Sequence, residues 1–156
     1  MSKFIATSFL AAFVAAPVFA EADLAAGEKV FSQCQTCHVV ADPDGNILAG
    51  RNARQGPNLY GMPGRQAGLV EGFRYGKSLV EAGEKGLVWD EESFVAYVEN
   101  PNTFLRDYLG NNRARGNMAF RLRNADDAKN VYAYIASLSP AVEVEDAAEP
   151  EVKAAD

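Results

Sequence analysis

The sequence predicts an all-α domain of about four helices, whose long loops wrap around a body that the polypeptide itself does not supply. Three observations lead there. Four segments carry helix start and stop signals. Between the first and second of them, residues 39–77 hold eight glycines and three prolines with no convincing period. A structureless loop of that length counts against a compact domain unless something else fills the core. Finally, the only two cysteines and the only histidine of the 156-residue chain all fall within residues 34–38.

The first helix is expected from about Asp23 to Gln33, with Asp23 as its cap and Leu24, Val30 and Phe31 as an inward stripe. A short second helix is expected near Ser78 to Glu84, ending toward Gly86. The third runs from about Asp90 to Asn100. Its first turn holds Asp90, Glu91 and Glu92, the sign a helix N-terminus favours, and Pro101 stops it. Residues 102–117 are rich in Arg and Asn. The fourth helix runs from about Ala125 to Leu138, capped by Asn124, with Val131, Tyr134, Ile135 and Leu138 at helical spacing and Pro140 beyond its end.

The two ends of the chain read differently from the middle. Residues 1–20 have the form of a secretory signal: Lys3, then a run from Phe4 to Ala16 that is apolar but for Thr7 and Ser8, then Pro17, with Val18 and Ala20 at the cleavage positions. Cleavage there leaves a mature chain from Glu21. The alternative is an uncleaved anchor, but only Glu21 and Ala22 would separate it from the first helix. Residues 21–140 form the expected domain, with 15 acidic and 13 basic groups. Residues 141–156 hold six acidic groups against Lys153 alone and read as a disordered, solvated acidic tail. The net charge of -6 therefore describes mainly the tail. Such a chain offers no general attraction to nucleic acid.

Cys34-Gln35-Thr36-Cys37-His38 is the pattern of c-type haem attachment. Two cysteines three apart at a helix end can each form a thioether to a haem vinyl group, and the next residue then presents its imidazole to the iron. A structural zinc site needs four ligands, and there is no second pair. A thioredoxin-like pair wants a preceding strand. The single histidine also excludes bis-histidine ligation, a distal histidine for peroxide or oxygen chemistry, and a second-histidine nucleophile site. The sixth ligand is left as Met, Lys, water or nothing. Of the two methionines after residue 20, Met62 sits in Gly61-Met62-Pro63-Gly64 and reads as a packing residue. Met118 lies just before the last helix and can return to the opposite haem face. Met/His ligation raises the reduction potential and leaves no open coordination site, which suits electron transfer.

From Asp23 to Leu138 the chain resembles class I cytochromes c, most closely the bacterial cytochrome c2 and c-550 group. The resemblance rests on Gly27-Glu28-Lys29-Val30-Phe31, Gly56-Pro57-Asn58-Leu59-Tyr60-Gly61, Gly64-Arg65, Phe73-Arg74-Tyr75, Trp89, Tyr97-Val98-Glu99-Asn100-Pro101 and Asn117-Met118-Ala119-Phe120. It implies the class I cytochrome c fold, with the first and last helices crossed and Gly27 and Phe31 packed against Tyr134. It implies one haem c on Cys34 and Cys37, with His38 and Met118 as iron ligands. Pro57 would accept a hydrogen bond from the other ring nitrogen of His38. Tyr97 would reach the Met118 sulfur, and Arg65, Tyr75 and Trp89 would bind a haem propionate. Gly116 departs from the family, which often has a hydroxyl residue there.

The function so implied is a monomeric electron carrier of the periplasm, not an enzyme. It would take an electron from a membrane quinol-oxidising cytochrome complex. It would pass it to a terminal oxidase, a reductase or a photosynthetic reaction centre. A haem peroxidase and a gas-binding module are the rivals, and the missing second histidine argues against the first.

Overall fold

A computed structural model describes residues 22–139. The expected signal segment and acidic tail lie outside these residues. The order of elements is α1 (Leu24–Phe31), β1 (Val39–Ala41), β2 (Ile47–Gly50), α2 (Lys77–Glu84), α3 (Glu91–Glu99), α4 (Pro101–Leu109) and α5 (Ala125–Ser137). The four expected helices are all present, within two residues at nearly every end. Among the described residues no helix is long and apolar enough to cross a membrane.

Side-chain caps set where the helices begin. Asp23 accepts from the Ala26 N–H at 3.0 Å, and Asn124 accepts from those of Asp126 and Asp127. Asp90 starts α3 through a capping box with Ser93. The Ser93 N–H and hydroxyl hold the Asp90 carboxyl below its usual range. Each such cap contributes about 1 kcal/mol.

Two elements were not expected. Pro101 ends α3 but also begins α4: Asn100 is the C-cap of one helix and the N-cap of the next, accepting from the Thr103 N–H at 3.3 Å. Proline suits the first position of a helix, where its missing N–H costs nothing. Leu105 and Leu109 then turn inward, and Gly110 closes α4 in the left-handed region at φ 61°. The second surprise is a two-stranded antiparallel hairpin inside the glycine-rich loop. It pairs Val39 with Gly50 and Val40 with Ala49, and slips register after Val40. Only Val40 and Ala49 of its residues are buried, so it shows too little alternation to stand out from its sequence.

The core sits where α5 meets α1 and α3, and continues through α4 to α2. Val131, Ile135, Leu105, Val40 and Pro101 are its most completely buried large side chains. Full burial of each Val, Leu or Ile stabilises by about 1.5–3 kcal/mol. The α1–α5 crossing is as the sequence implies. Phe31 meets Tyr134 at 5.7 Å between ring centroids, and the Asp23 N–H donates to the Asn130 side chain at 2.9 Å. Gly27 lies against the backbone of Asn130, close enough that a Cβ would overlap the Asn130 carbonyl and crowd Tyr134.

That contact gives a prediction with a diagnostic sign. In an ordinary exposed helix Gly→Ala stabilises by about 1 kcal/mol. Gly27→Ala should instead destabilise by about 1–3 kcal/mol or more, because the helices must part. Equilibrium denaturation of the holoprotein measures it, and a gain in stability would show that the crossing is looser than described.

Candidate haem site

The attachment pentapeptide continues the winding of α1 after the helix ends. The Cys34 and Gln35 N–H groups donate to Phe31 O, and both Cys37 and His38 donate to Cys34 O, at 3.0 and 2.9 Å. Cys34, Cys37 and His38 are therefore three and four positions apart on one helical turn and share a side of it. The two cysteines are not joined in a disulfide. Burial, and secondarily the neighbouring Cys37, pushes the Cys34 thiol up to about 11. That is the reverse of a reactive dithiol, whose attacking sulfur needs a lowered value. A thioether carries no proton and suffers no such penalty. Among the described residues no group of three or more His, Cys, Asp or Glu could hold a metal ion, so a structural zinc site is not built there.

The imidazole of His38 is held from two sides. Its Nδ1 lies 2.9 Å from Pro57 O. A carbonyl can only accept, so Nδ1 carries the proton and Nε2 keeps its lone pair, the tautomer a metal ligand requires. Burial lowers the ring's pKa and the Pro57 bond partly offsets it, which favours the neutral ring. Gly56 lies flat against the ring: a Cβ there would overlap Cε1, Nδ1 and Nε2. Glycine is needed at this position for space alone, since Gly56 is not among the glycines with positive φ.

A second group of expected residues is assembled by backbone pairing. Gly64 N donates to Trp89 O at 2.9 Å and Trp89 N donates to Arg65 O at 3.0 Å, with a bridge between Gln66 and Val88 beside them. This places Arg65 and Trp89 side by side. The Arg65 guanidinium donates to Tyr60 O at 2.8 Å and to Asn58 O at 3.2 Å, which uses two of its five N–H groups. Burial lowers the Arg65 pKa and raises that of Tyr75, and each partly offsets the other, so the two are neighbours. Trp89 packs edge-on to Tyr97 at 5.0 Å, and Tyr97 edge-on to Phe104 at 5.8 Å. Burial, then Tyr75, pushes the Tyr97 hydroxyl up to about 12, so it stays a neutral donor.

Met118 lies on the extended segment between α4 and α5. The segment is tied to three helices: Arg115 N donates to Ser78 Oγ of α2, Gly116 N to Asn102 Oδ1 of α4, and Leu122 N to Val98 O of α3. Met118 packs against the core as a partly buried side chain. A Cβ on Gly116 would come to 3.5 Å from Tyr97 Oη, so the Tyr97 hydroxyl faces the residues just before Met118. Met62 is only 3% exposed and belongs to the packed core, as its sequence position suggests. The expected residues thus fall into two assemblies, Cys34–Cys37–His38–Pro57 and Arg65–Tyr75–Trp89–Tyr97, with Met118 beside the second. Gly56 and Asn58 were legible only as parts of a motif, and their contacts to His38 and to β1 come from the structure.

These residues fit a haem: two cysteines and an oriented imidazole on one turn, and a cluster of donors, Trp89 buried and Arg65 and Tyr75 half-buried, suited to carboxylates. The fold and the site define a c-type haem protein. No protein-family model matches the chain. The chain is 60% identical over 116 residues to cytochrome c2 of Rhodovulum adriaticum, covering 74% of this chain and 92% of that one. It is 49% identical over 140 residues to cytochrome c-551 of Roseobacter denitrificans, covering 89% and 97%. The crystal structure of cytochrome c2 from Rhodobacter sphaeroides matches with a TM-score of 0.73 at 52% identity, covering 75% of this chain and 96% of that one. The chain belongs to the cytochrome c2 family of class I cytochromes c. It carries one haem c, bound through Cys34 and Cys37, and is an electron-transfer protein, not an enzyme.

The contact of Gly56 with the ring yields a direct test. Gly56→Ala should destabilise the holoprotein by about 1–3 kcal/mol, since either the ring or the loop must shift. Thermal or denaturant unfolding reads this, and an unchanged midpoint would mean that residue 56 does not seat His38.

Proposed function

We propose that the chain is a soluble, monomeric, periplasmic shuttle in which His38 and Met118 ligate the haem iron. It takes one electron from a membrane quinol-oxidising cytochrome complex and delivers it to a terminal oxidase, a reductase or a photosynthetic reaction centre. The observation that carries this reading is the tautomer of the only histidine. With Nδ1 committed to Pro57 O, the Nε2 lone pair is the one strong nitrogen ligand the site offers.

Bound haem supplies a one-electron couple that needs no bond-making by the protein. The chain's own residues do the rest. His38 gives a neutral, fixed imidazole. Met118, held by a segment tied to α2, α3 and α4, gives a thioether near a neutral Tyr97 hydroxyl. Met/His ligation raises the potential and closes the coordination sphere. Arg65, Tyr75 and Trp89 offer donors for a propionate, whose burial without them would be costly. The mature chain would start at Glu21, after export.

Partner choice follows from charge. Arg113, Arg115, Arg121 and Arg123 are exposed around Met118, and the one ion pair among the described residues is Lys85–Glu81. These guanidinium groups therefore have no acidic partner within the described residues. A basic surface beside the proposed ligand suits an acidic docking face and speeds association at low salt.

Ligation is tested by two methionine variants. Met118→Ala should abolish the sulfur-to-iron charge-transfer band of the oxidised protein and lower the reduction potential. Met62→Ala should keep the band and cost about 2–5 kcal/mol of stability, as expected for a buried Met. Loss of the band in Met62→Ala, with its retention in Met118→Ala, would overturn the assignment.

A further inference from the structure

The bond from His38 Nδ1 to Pro57 O needs the Pro57 carbonyl to hold one direction. Pro57 fixes its own φ, but the peptide plane carrying that carbonyl can still turn about ψ of Pro57 and φ of residue 58. What stops it is the next side chain. Asn58 Oδ1 accepts from the Ala41 N–H and the Tyr60 N–H, both at 3.0 Å, and Asn58 Nδ2 donates to Ala41 O at 2.7 Å. The amide orientation follows from the partners, because backbone N–H groups can only donate. The Asn58 main-chain oxygen meanwhile accepts from Arg65.

Ala41 is the last residue of β1, the strand that begins one residue after His38. Along the same edge Leu59 N donates to Val39 O at 2.9 Å, and Gly56 N donates to Cys37 O at 2.7 Å. The Asn58 side chain thus behaves as a short extra strand. It satisfies both the donor and the acceptor of Ala41, as a backbone residue would in a sheet. The segment from Cys37 to Ala41 and the segment from Gly56 to Tyr60 are clamped at both ends, and the His38–Pro57 bond lies between the clamps.

We infer that Asn58 is a positioning residue: it holds the Pro57 carbonyl on the His38 ring and so sets how firmly the imidazole is aimed. This rests on His38 being the haem ligand. It assigns no contact between Asn58 and the haem. The role differs from general support of the loop, because the nearby Gly61 N–H is satisfied independently, by Ser139 Oγ at 2.8 Å.

The test uses the reduced holoprotein and follows the His38 Nδ1 proton by NMR hydrogen exchange. Asn58→Leu removes all three side-chain bonds at similar volume. It should speed exchange at His38 Nδ1 by about ten-fold relative to the amides of Val131 and Ile135 in α5. Asn58→Asp keeps the acceptor for Ala41 and Tyr60 but loses the donor to Ala41 O, and should fall between. If Asn58→Leu fails to fold, the Asp variant carries the comparison. Ser139→Ala, which loosens the same loop beyond Tyr60, should leave the His38 proton within about two-fold of the unmodified protein. An unchanged rate in the Asn58 variants would overturn the inference. So would an equal acceleration at Val131 and Ile135, which reports general loss of stability. The ligand reading is judged separately in the unmodified protein: the ring protons of a haem-bound His38 are shifted strongly by the porphyrin ring current, and their absence from that region would sink that reading alone.

Discussion

One hydrogen bond organises this protein: His38 Nδ1 to Pro57 O, at 2.9 Å. It fixes the tautomer of the only histidine, and with it the direction of the imidazole lone pair. The surrounding structure answers to it. The winding of α1 runs on through Cys34 to deliver His38. Gly56 leaves the ring its space, and the Asn58 side chain ties the proline segment to the strand that follows the histidine. Arg65 reaches the same segment from the other side and is placed by its backbone pairing with Trp89.

The chemistry of the site favours holding over reacting. Burial raises the Tyr97 hydroxyl to about 12, so it supplies no anion near neutral pH. Among the described residues every buried polar side-chain atom has a hydrogen-bond partner. No second histidine exists to serve as an acid or base. An electron carrier gains from such a site, because the less its surroundings rearrange between oxidation states, the less stands in the way of transfer. The stacked and edge-on aromatic contacts from Trp89 through Tyr97 to Phe104 and Tyr108 give the same rigidity with few polar atoms.

The parts of the fold that announce themselves in the sequence are those set by local chemistry. Asp23, Asp90 and Asn124 mark helix starts because their side chains bond the first free N–H groups. The attachment pentapeptide is legible because its spacing matches one helical turn. The helix at Pro101–Leu109 is hidden in the sequence, although Asn100-Pro101 is a start signal, because the same proline also ends α3. The hairpin was hidden for a different reason. Ile47 and Leu48 are both exposed, so β2 lacks the alternation that marks a half-buried strand. The backbone pairing of Arg65 with Trp89 and the grip of the Asn58 side chain on the Ala41 main chain join residues 24 and 17 positions apart, which no local sequence pattern records.

The central claim is that one haem, closed to outside ligands, exchanges single electrons. A potentiometric titration of the holoprotein followed optically, repeated on the reduced form under carbon monoxide, tests it most directly. The account predicts one reversible one-electron transition and a reduced spectrum that carbon monoxide leaves unchanged. A spectrum that shifts readily to a carbonyl form would show an open coordination site and contradict it.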